Sequence, residues 1–364
     1  GKLRVGYLSS DFGRHATMDL LLEVLEAHDR DRIDVRLYSY GPDDDGAERR
    51  RAMAEAEVGD DVFGEDPTIK RLEERTADLL GHEAALFVPS GTMANQIAVG
   101  CLAGPGDELL CDETSHVYVW EGGGIARHWG VTARPISTSD GLLRLPDLEG
   151  KVRPDDGHYV RTRLVVLENT HNRGGGRVHP FDEVARVAQW ARERGLHLHC
   201  DGARLMNAVV ASGVAASRWG RLFDTVSICF SKGLGAPVGS ALVGNRDLVR
   251  RAHRLRKALG GGMRQAGIIA AGALHALDHH VDRLAEDHEH ARLLARAVAE
   301  TPGLELESGP VETNLVWVRV GPELGTAQEV ATRLRAAPTT QTSTLVALTG
   351  WSGSEDRRRT REAG

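Results

Sequence analysis

Three groups of residues have types and spacing suited to chemistry. The first is Lys232, in Ser231-Lys232-Gly233-Leu234-Gly235-Ala236-Pro237. The run before it, residues 225–230, is apolar or β-compatible and predicts a buried strand. The glycines after it rule out a continued strand or a helix. A lysine held at such a strand end loses solvation and can act as a nucleophilic amine. The second group is Asp201, in His199-Cys200-Asp201-Gly202-Ala203-Arg204. It ends an alternating apolar and polar stretch about thirty residues before the lysine, room for a helix and a returning strand. The third is Ser90-Gly91-Thr92-Met93-Ala94-Asn95-Gln96, where small residues precede an apolar helix. Free backbone N–H groups there meet the positive end of the helix dipole and form a cradle for a phosphate.

Each group alone also has an ordinary structural meaning: a surface lysine, a helix-capping aspartate, a plain N-cap. Together they fit a pyridoxal 5'-phosphate site. The lysine would form the Schiff base, and the aspartate would keep the pyridinium nitrogen protonated.

The stretch from about Ala52 to about Arg335 resembles the low-specificity L-threonine aldolases, of the β-eliminating lyase group of fold-type-I pyridoxal phosphate enzymes. Besides the three motifs above, the resemblance is carried by Gly59-Asp60-Asp61-Val62-Phe63-Gly64-Glu65-Asp66-Pro67, Asp112-Glu113-Thr114-Ser115-His116, Glu168-Asn169-Thr170-His171-Asn172 and Gly260-Gly261-Gly262-Met263-Arg264-Gln265. It implies an aspartate-aminotransferase-like α/β fold, with a mostly parallel sheet between helices and a small α+β carboxy-terminal domain. It further implies cleavage of L-threonine and L-allo-threonine to glycine and acetaldehyde. Another β-eliminating amino-acid lyase, or a chain without activity, is the alternative.

The resemblance also assigns roles. Lys232, with Ser231 beside it, carries the cofactor. Ser90, Gly91 and Thr92 hold its phosphate, His116 stacks on its ring and Asp201 meets the ring nitrogen. Arg204 is expected to grip the substrate carboxylate with two parallel hydrogen bonds. The base that takes the β-hydroxyl proton is His116, His158 or a water held by one of them. Glu168 orients His116, a loop or the cofactor, and the sequence does not choose. No metal-ligand spacing is present. Basic residues Arg256, Lys257 and Arg264 approach a neighbouring subunit's phosphate in such enzymes, which implies a homodimer or homotetramer with shared sites; they could equally be solvated.

The elements that must position these residues follow from the pattern. Strands are expected at 84–88, 108–111, 164–167, 196–200, 225–230 and 240–243, with helices between them, notably 68–80, 93–102 and 180–194. Such alternation predicts a mostly parallel sheet covered on both faces. Sites then gather at the carboxyl ends of the strands, where Ser90, Asp201 and Lys232 all fall. Beyond residue 248 the chain reads as helices at 248–259, 266–280 and 281–300, and a strand at 313–320. The expected division is 51–248 as the cofactor-binding domain and 249–336 as the small domain.

The chain has 364 residues, 41% apolar and 27% charged, ordinary for a globular protein. Its net charge of −7 argues against a nucleic-acid partner. Cys101, Cys111, Cys200 and Cys229 show no C-x-x-C and read as buried thiols. No signal peptide or long apolar run is evident, so no membrane partner and a cytoplasmic location are expected.

The ends depart from the aldolase pattern. Residues 1–50 resemble the start of the O-linked N-acetylglucosamine transferase catalytic region, through Gly6-Tyr7-Leu8-Ser9-Ser10-Asp11-Phe12-Gly13-Arg14-His15. His15 falls on an active-site histidine of that family. The segment reads as a strand and loop over 3–15, a helix over 18–28 and a strand over 33–40. Residues 337–364 have little periodicity and read as a disordered tail. A fusion or frameshift and an impaired, less selective enzyme are the expectations there, with Arg204 left to hold the carboxylate alone.

Overall fold

The computed structural model describes residues 3–9, 33–39 and 46–336. Strand β1 (Leu3–Ser9) pairs in parallel with β2 (Ile33–Ser39), Leu3 opposite Ile33. The helix expected at 18–28, His15 and the tail from 337 onward lie outside the described residues.

The centre is a seven-stranded sheet. It comprises β3 (Ala84–Val88), β4 (Asp107–Asp112), β5 (Thr132–Ile136), β6 (Arg161–Glu168), β7 (His197–Gly202), β8 (Thr225–Cys229) and β9 (Ser240–Gly244). The order is β3-β9-β8-β7-β6-β4-β5. β9 is antiparallel to both its neighbours, and the other pairings are parallel. The six expected strands are present. β5 was not expected: it lies at the sheet edge and carries Arg134 and Pro135, so no apolar pattern marks it.

Successive side chains of a strand point to opposite faces, and each face has its own core. Val165 and Leu167 of β6 join Val226 and Ile228 of β8 in one core, covered by helices Pro67–Leu80, Phe181–Glu193 and Gly267–His279. Leu164 and Val166 join Leu86, Val88 and Leu109 in the other, under helices Gly91–Leu102 and Arg246–Ala258. The expected boundary at 248/249 falls inside the Arg246–Ala258 helix, whose Leu248 and Ala252 belong to the second core.

The carboxy-terminal part holds helices Leu284–Glu300 and Ala327–Ala336 and an antiparallel pair, β10 (Leu304–Leu306) and β11 (Val318–Val320). The strand expected at 313–320 forms only over its last three residues. Its first part is tied elsewhere: Thr313 Oγ1 donates to the Gly176 carbonyl at 2.6 Å and Trp317 Nε1 to the Asn172 carbonyl at 2.9 Å.

Candidate functional site

On β7 and β8 one face departs from the apolar rule. Leu198 and Cys200 point into the first core, so His199 and Asp201 point the other way. In the parallel register His199 lies opposite Thr225 and Asp201 opposite Ser227. The result is a polar column on the face covered by the Gly91–Leu102 helix. That helix sends down Asn95 and Gln96, both buried.

Asp201 sits at the carboxyl end of this column, only 2% exposed. Its Oδ2 accepts from Asn95 Nδ2 at 2.8 Å and its Oδ1 from the Ala203 N–H at 3.2 Å. Three residues beyond β8 stands Lys232, half-buried, with no hydrogen bond or ion pair to its amine among the described residues. Cys229 is the last residue of β8, three residues before Lys232. Burial pushes its thiol pKa up, against the Lys232 charge and the Ser240 hydrogen bond, with smaller influences from Asp201 and Arg204. One thiol thus senses Lys232, Asp201 and Arg204 together.

Ser90 caps the Gly91–Leu102 helix, its Oγ accepting the Met93 N–H at 3.2 Å. The Gly91 and Thr92 N–H groups lie in the first turn and have no intrahelical acceptor. Gly91 is required by packing: a Cβ there would lie 2.6 Å from Cys229 Sγ. The cradle is therefore seated directly on the strand that leads to Lys232.

His116 starts a short helix, His116–Val119, after β4. Its Nδ1 bonds Glu121 Oε1 at 2.9 Å, and its backbone N–H donates to Glu168 Oε2 at 2.8 Å. The Glu121 hydrogen bond raises the imidazole pKa against the effect of burial, with help from Asp201 and Glu168. Glu168 Oε1 also takes the Asn172 N–H at 2.9 Å. The question left open for Glu168 is thus answered in part: it orients the backbones of the His116 and Asn172 loops.

Arg204 is half-buried at the start of the Leu205–Ser212 helix, three residues after Asp201. Ser231 is exposed beside Lys232. His158 is not brought to this group. It precedes the amino end of β6, whereas Glu168 and Asp201 lie paired at the carboxyl ends of β6 and β7, so within this chain it sits at the opposite sheet edge. Its side chain is 94% exposed and bonds Asp156. Of the basic trio, Arg256 is buried on Asp61 Oδ2 at 2.9 Å, Arg264 pairs with Asp60 Oδ2 at 2.8 Å, and Lys257 is exposed.

Sequence reasoning missed Glu121, and gave no role to Asn95 or His199. The ligand atoms of His116, Glu121 and Asp201 lie within 4.8 Å of one another. The Asn95 amide bridges the two carboxylates, which marks a hydrogen-bonded network rather than a cation site. The four cysteines are free and buried. No helix among the described residues is long and apolar enough to cross a membrane.

Comparison with known proteins places the chain in a family. A family model described as Beta-eliminating lyase matches residues 45–321, and one described as Glycosyl transferase family 41 matches residues 1–63. The chain is 45% identical over 273 residues to the low specificity L-threonine aldolase of Escherichia coli (strain K12), covering 75% of this chain and 80% of that protein. It is 43% identical over 279 residues to the Saccharomyces cerevisiae low specificity L-threonine aldolase, covering 75% and 71%. A Listeria monocytogenes structure assigned as an L-allo-threonine aldolase superposes with a TM-score of 0.68 at 26% identity, over 82% of each chain. The Leishmania major threonine aldolase shares the fold at a TM-score of 0.59 and 23% identity, over 86% of this chain and 84% of that one. A family match over residues 45–321 and identity of 43–45% over three quarters of the chain make it a member of the beta-eliminating lyase family, among the low-specificity L-threonine aldolases.

Proposed function

We propose that the chain is a pyridoxal phosphate-dependent aldehyde-lyase that cleaves L-threonine and L-allo-threonine to glycine and acetaldehyde. What supports this is that Lys232, Asp201 and His116 all stand at or just after the carboxyl ends of strands of one sheet, beside a helix start with free N–H groups, in a chain of the aldolase family.

The residues present fit the cofactor. Gly91 and Thr92 N–H groups would hold the phosphate, with Ser90 beside them. The unpaired amine of Lys232 would hold the aldehyde carbon, and Asp201, whose oxygens otherwise meet only donors, would hold a proton on the ring nitrogen. When bound, pyridoxal phosphate supplies an electron sink for breaking a bond at the substrate Cα. The protein's part is orientation and proton handling. Arg204 grips the substrate carboxylate, which sets the substrate's rotation. His116 would stack on the cofactor ring. With Nδ1 engaged by Glu121, its Nε2 is the atom able to exchange a proton with the β-hydroxyl, directly or through one water.

The remaining readings belong here too. The protein acts on a small amino acid, in the cytoplasm, as a homodimer or homotetramer, with residues from about 51 forming the cofactor-binding part and those after the Arg246–Ala258 helix the small one. The test is a product assay on purified, cofactor-loaded protein given L-threonine. Glycine and acetaldehyde in equal amounts support the proposal. Pyruvate and ammonia from serine or an aromatic amino acid, without acetaldehyde from threonine, would assign it instead to another β-eliminating lyase.

A further inference from the structure

The buried side chains around Asp201 form one directed hydrogen-bond chain. Asn95 Nδ2 lies 2.8 Å from Asp201 Oδ2 and 2.8 Å from Glu121 Oε1. Asn95 Oδ1 accepts from Ser227 Oγ at 2.8 Å and lies 3.1 Å from His199 Nε2. Turned over, the amide would set its oxygen against two carboxylates, so its orientation is fixed. Burial pushes the His199 pKa down to about 4, which leaves the ring neutral with one proton. Two acceptor-only oxygens face the ring, Asn95 Oδ1 at 3.1 Å from Nε2 and the Thr225 carbonyl at 3.2 Å from Nδ1; only Nδ1 also has a hydroxyl beside it that can donate, which places the proton on Nε2. Nδ1 then accepts from Thr225 Oγ1, 2.8 Å away. The direction runs from Thr225 through His199 to Asn95, and on to Asp201 and Glu121. Glu121 in turn takes His116 Nδ1 at 2.9 Å and Gln96 Nε2 at 2.6 Å.

We infer that Asn95 is a positioning residue for the reaction: its one amide NH2 orients the Asp201 carboxylate and, through Glu121, the His116 imidazole, so the two are set as a pair. The amide places both its protons between two acidic groups that would otherwise face each other. Removing it leaves Asp201 with the Ala203 N–H and Glu121 with Gln96 and His116, so each carboxylate loses its shared donor and the potential at His116 becomes more negative. A residue that only filled space would do neither. The inference rests on the roles given to Asp201 and His116 above, and its test has a part that does not require turnover.

The test follows His116 by nitrogen-detected imidazole resonances in the full-length, cofactor-free protein over a pH series. The acidic groups that bear on His116 are Glu121, Asp201 and Glu168, with Glu121 the closest. Glu121→Gln should lower the His116 midpoint. Asn95→Ala should raise it, and that rise should shrink in the Glu121→Gln background, a coupling expected only if Asn95 acts through Glu121. In the loaded enzyme, Asn95→Ala should lose roughly 10- to 100-fold in kcat with KM nearly kept, the range seen when a group that orients a working ligand is removed. Asn95→Asp, of nearly the same volume, should lose at least as much, because it turns a donor into a third acceptor. It keeps the test available if the alanine variant does not fold. An unshifted His116 midpoint in a folded Asn95 variant, or an equal shift in both backgrounds, would overturn the inference. If wild type makes no acetaldehyde, the functional proposal fails while the His116 measurement still decides this one.

Discussion

Replacing Asp201 by asparagine changes one atom and should remove most of the activity. Both oxygens of Asp201 already accept N–H groups of the protein, from Asn95 at 2.8 Å and Ala203 at 3.2 Å. In Asp201→Asn one of these positions becomes an NH2. The shorter contact keeps the oxygen facing Asn95, so the new NH2 turns toward the Ala203 N–H, donor against donor. A neutral amide also cannot hold a proton on the ring nitrogen. Losing a charge-assisted hydrogen bond costs about 1.5–3 kcal/mol. At a tenfold change per about 1.4 kcal/mol, that is roughly 10- to 150-fold in rate. The assay pairs kcat for glycine formation with cofactor content by absorbance and a thermal melt. Full cofactor content with kcat down by that factor is expected. A loaded variant whose kcat stays within about twofold of wild type would refute the reasoning, since a loss of under half a kcal/mol is too small for a charge at the ring.

Other outcomes follow from the packing and the buried charges. Gly91→Ala should be overpacked by about 1–3 kcal/mol and lose cofactor affinity, because the new Cβ would lie 2.6 Å from Cys229 Sγ; calorimetry and cofactor titration check it. Arg256→Ala should destabilise by about 3–5 kcal/mol in denaturant melts, because it leaves Asp61 buried without its partner, and adding Asp61→Asn should recover part of the loss. His179 is buried with neither ring nitrogen bonded, and desolvation, with the His171 and Arg144 charges, pushes its pKa from 6.5 down to about 3. The unfolded chain then binds a proton that the fold refuses, so stability should fall as pH drops from about 6.5 toward 3, and His179→Phe should flatten that limb of a stability–pH curve.

The sheet was legible because its central strands are short apolar runs between turn residues. β5 was not, since an edge strand with an arginine and a proline needs no apolar period. The 313–320 strand was over-read: Thr313 and Trp317 look like strand residues but are spent on the Gly176 and Asn172 carbonyls. Lys232, Asp201 and the Ser90–Thr92 helix start could be found because each ends or follows a strand, and strand ends converge in a parallel sheet. Glu121, Asn95 and His199 could not. Their partnership depends on a helix laying Asn95 over β7 and β8, a contact between residues about a hundred positions apart, which no local pattern encodes. One signal was present: the alternation in His197-Leu198-His199-Cys200-Asp201 puts two polar side chains on one face of a buried strand, and such groups need partners. His158 precedes the amino end of β6, so within one chain its strand sets it apart from Asp201, which the motif alone did not reveal.

The central claim is that Lys232 is the residue that holds the cofactor. Borohydride reduction of the active enzyme, followed by proteolysis and peptide mass spectrometry, tests it most directly. The account predicts one pyridoxyl group per chain, on the peptide containing Ser231-Lys232-Gly233, and neither label nor turnover in Lys232→Ala. Stoichiometric label on another lysine, with Lys232→Ala still cleaving threonine, would contradict it.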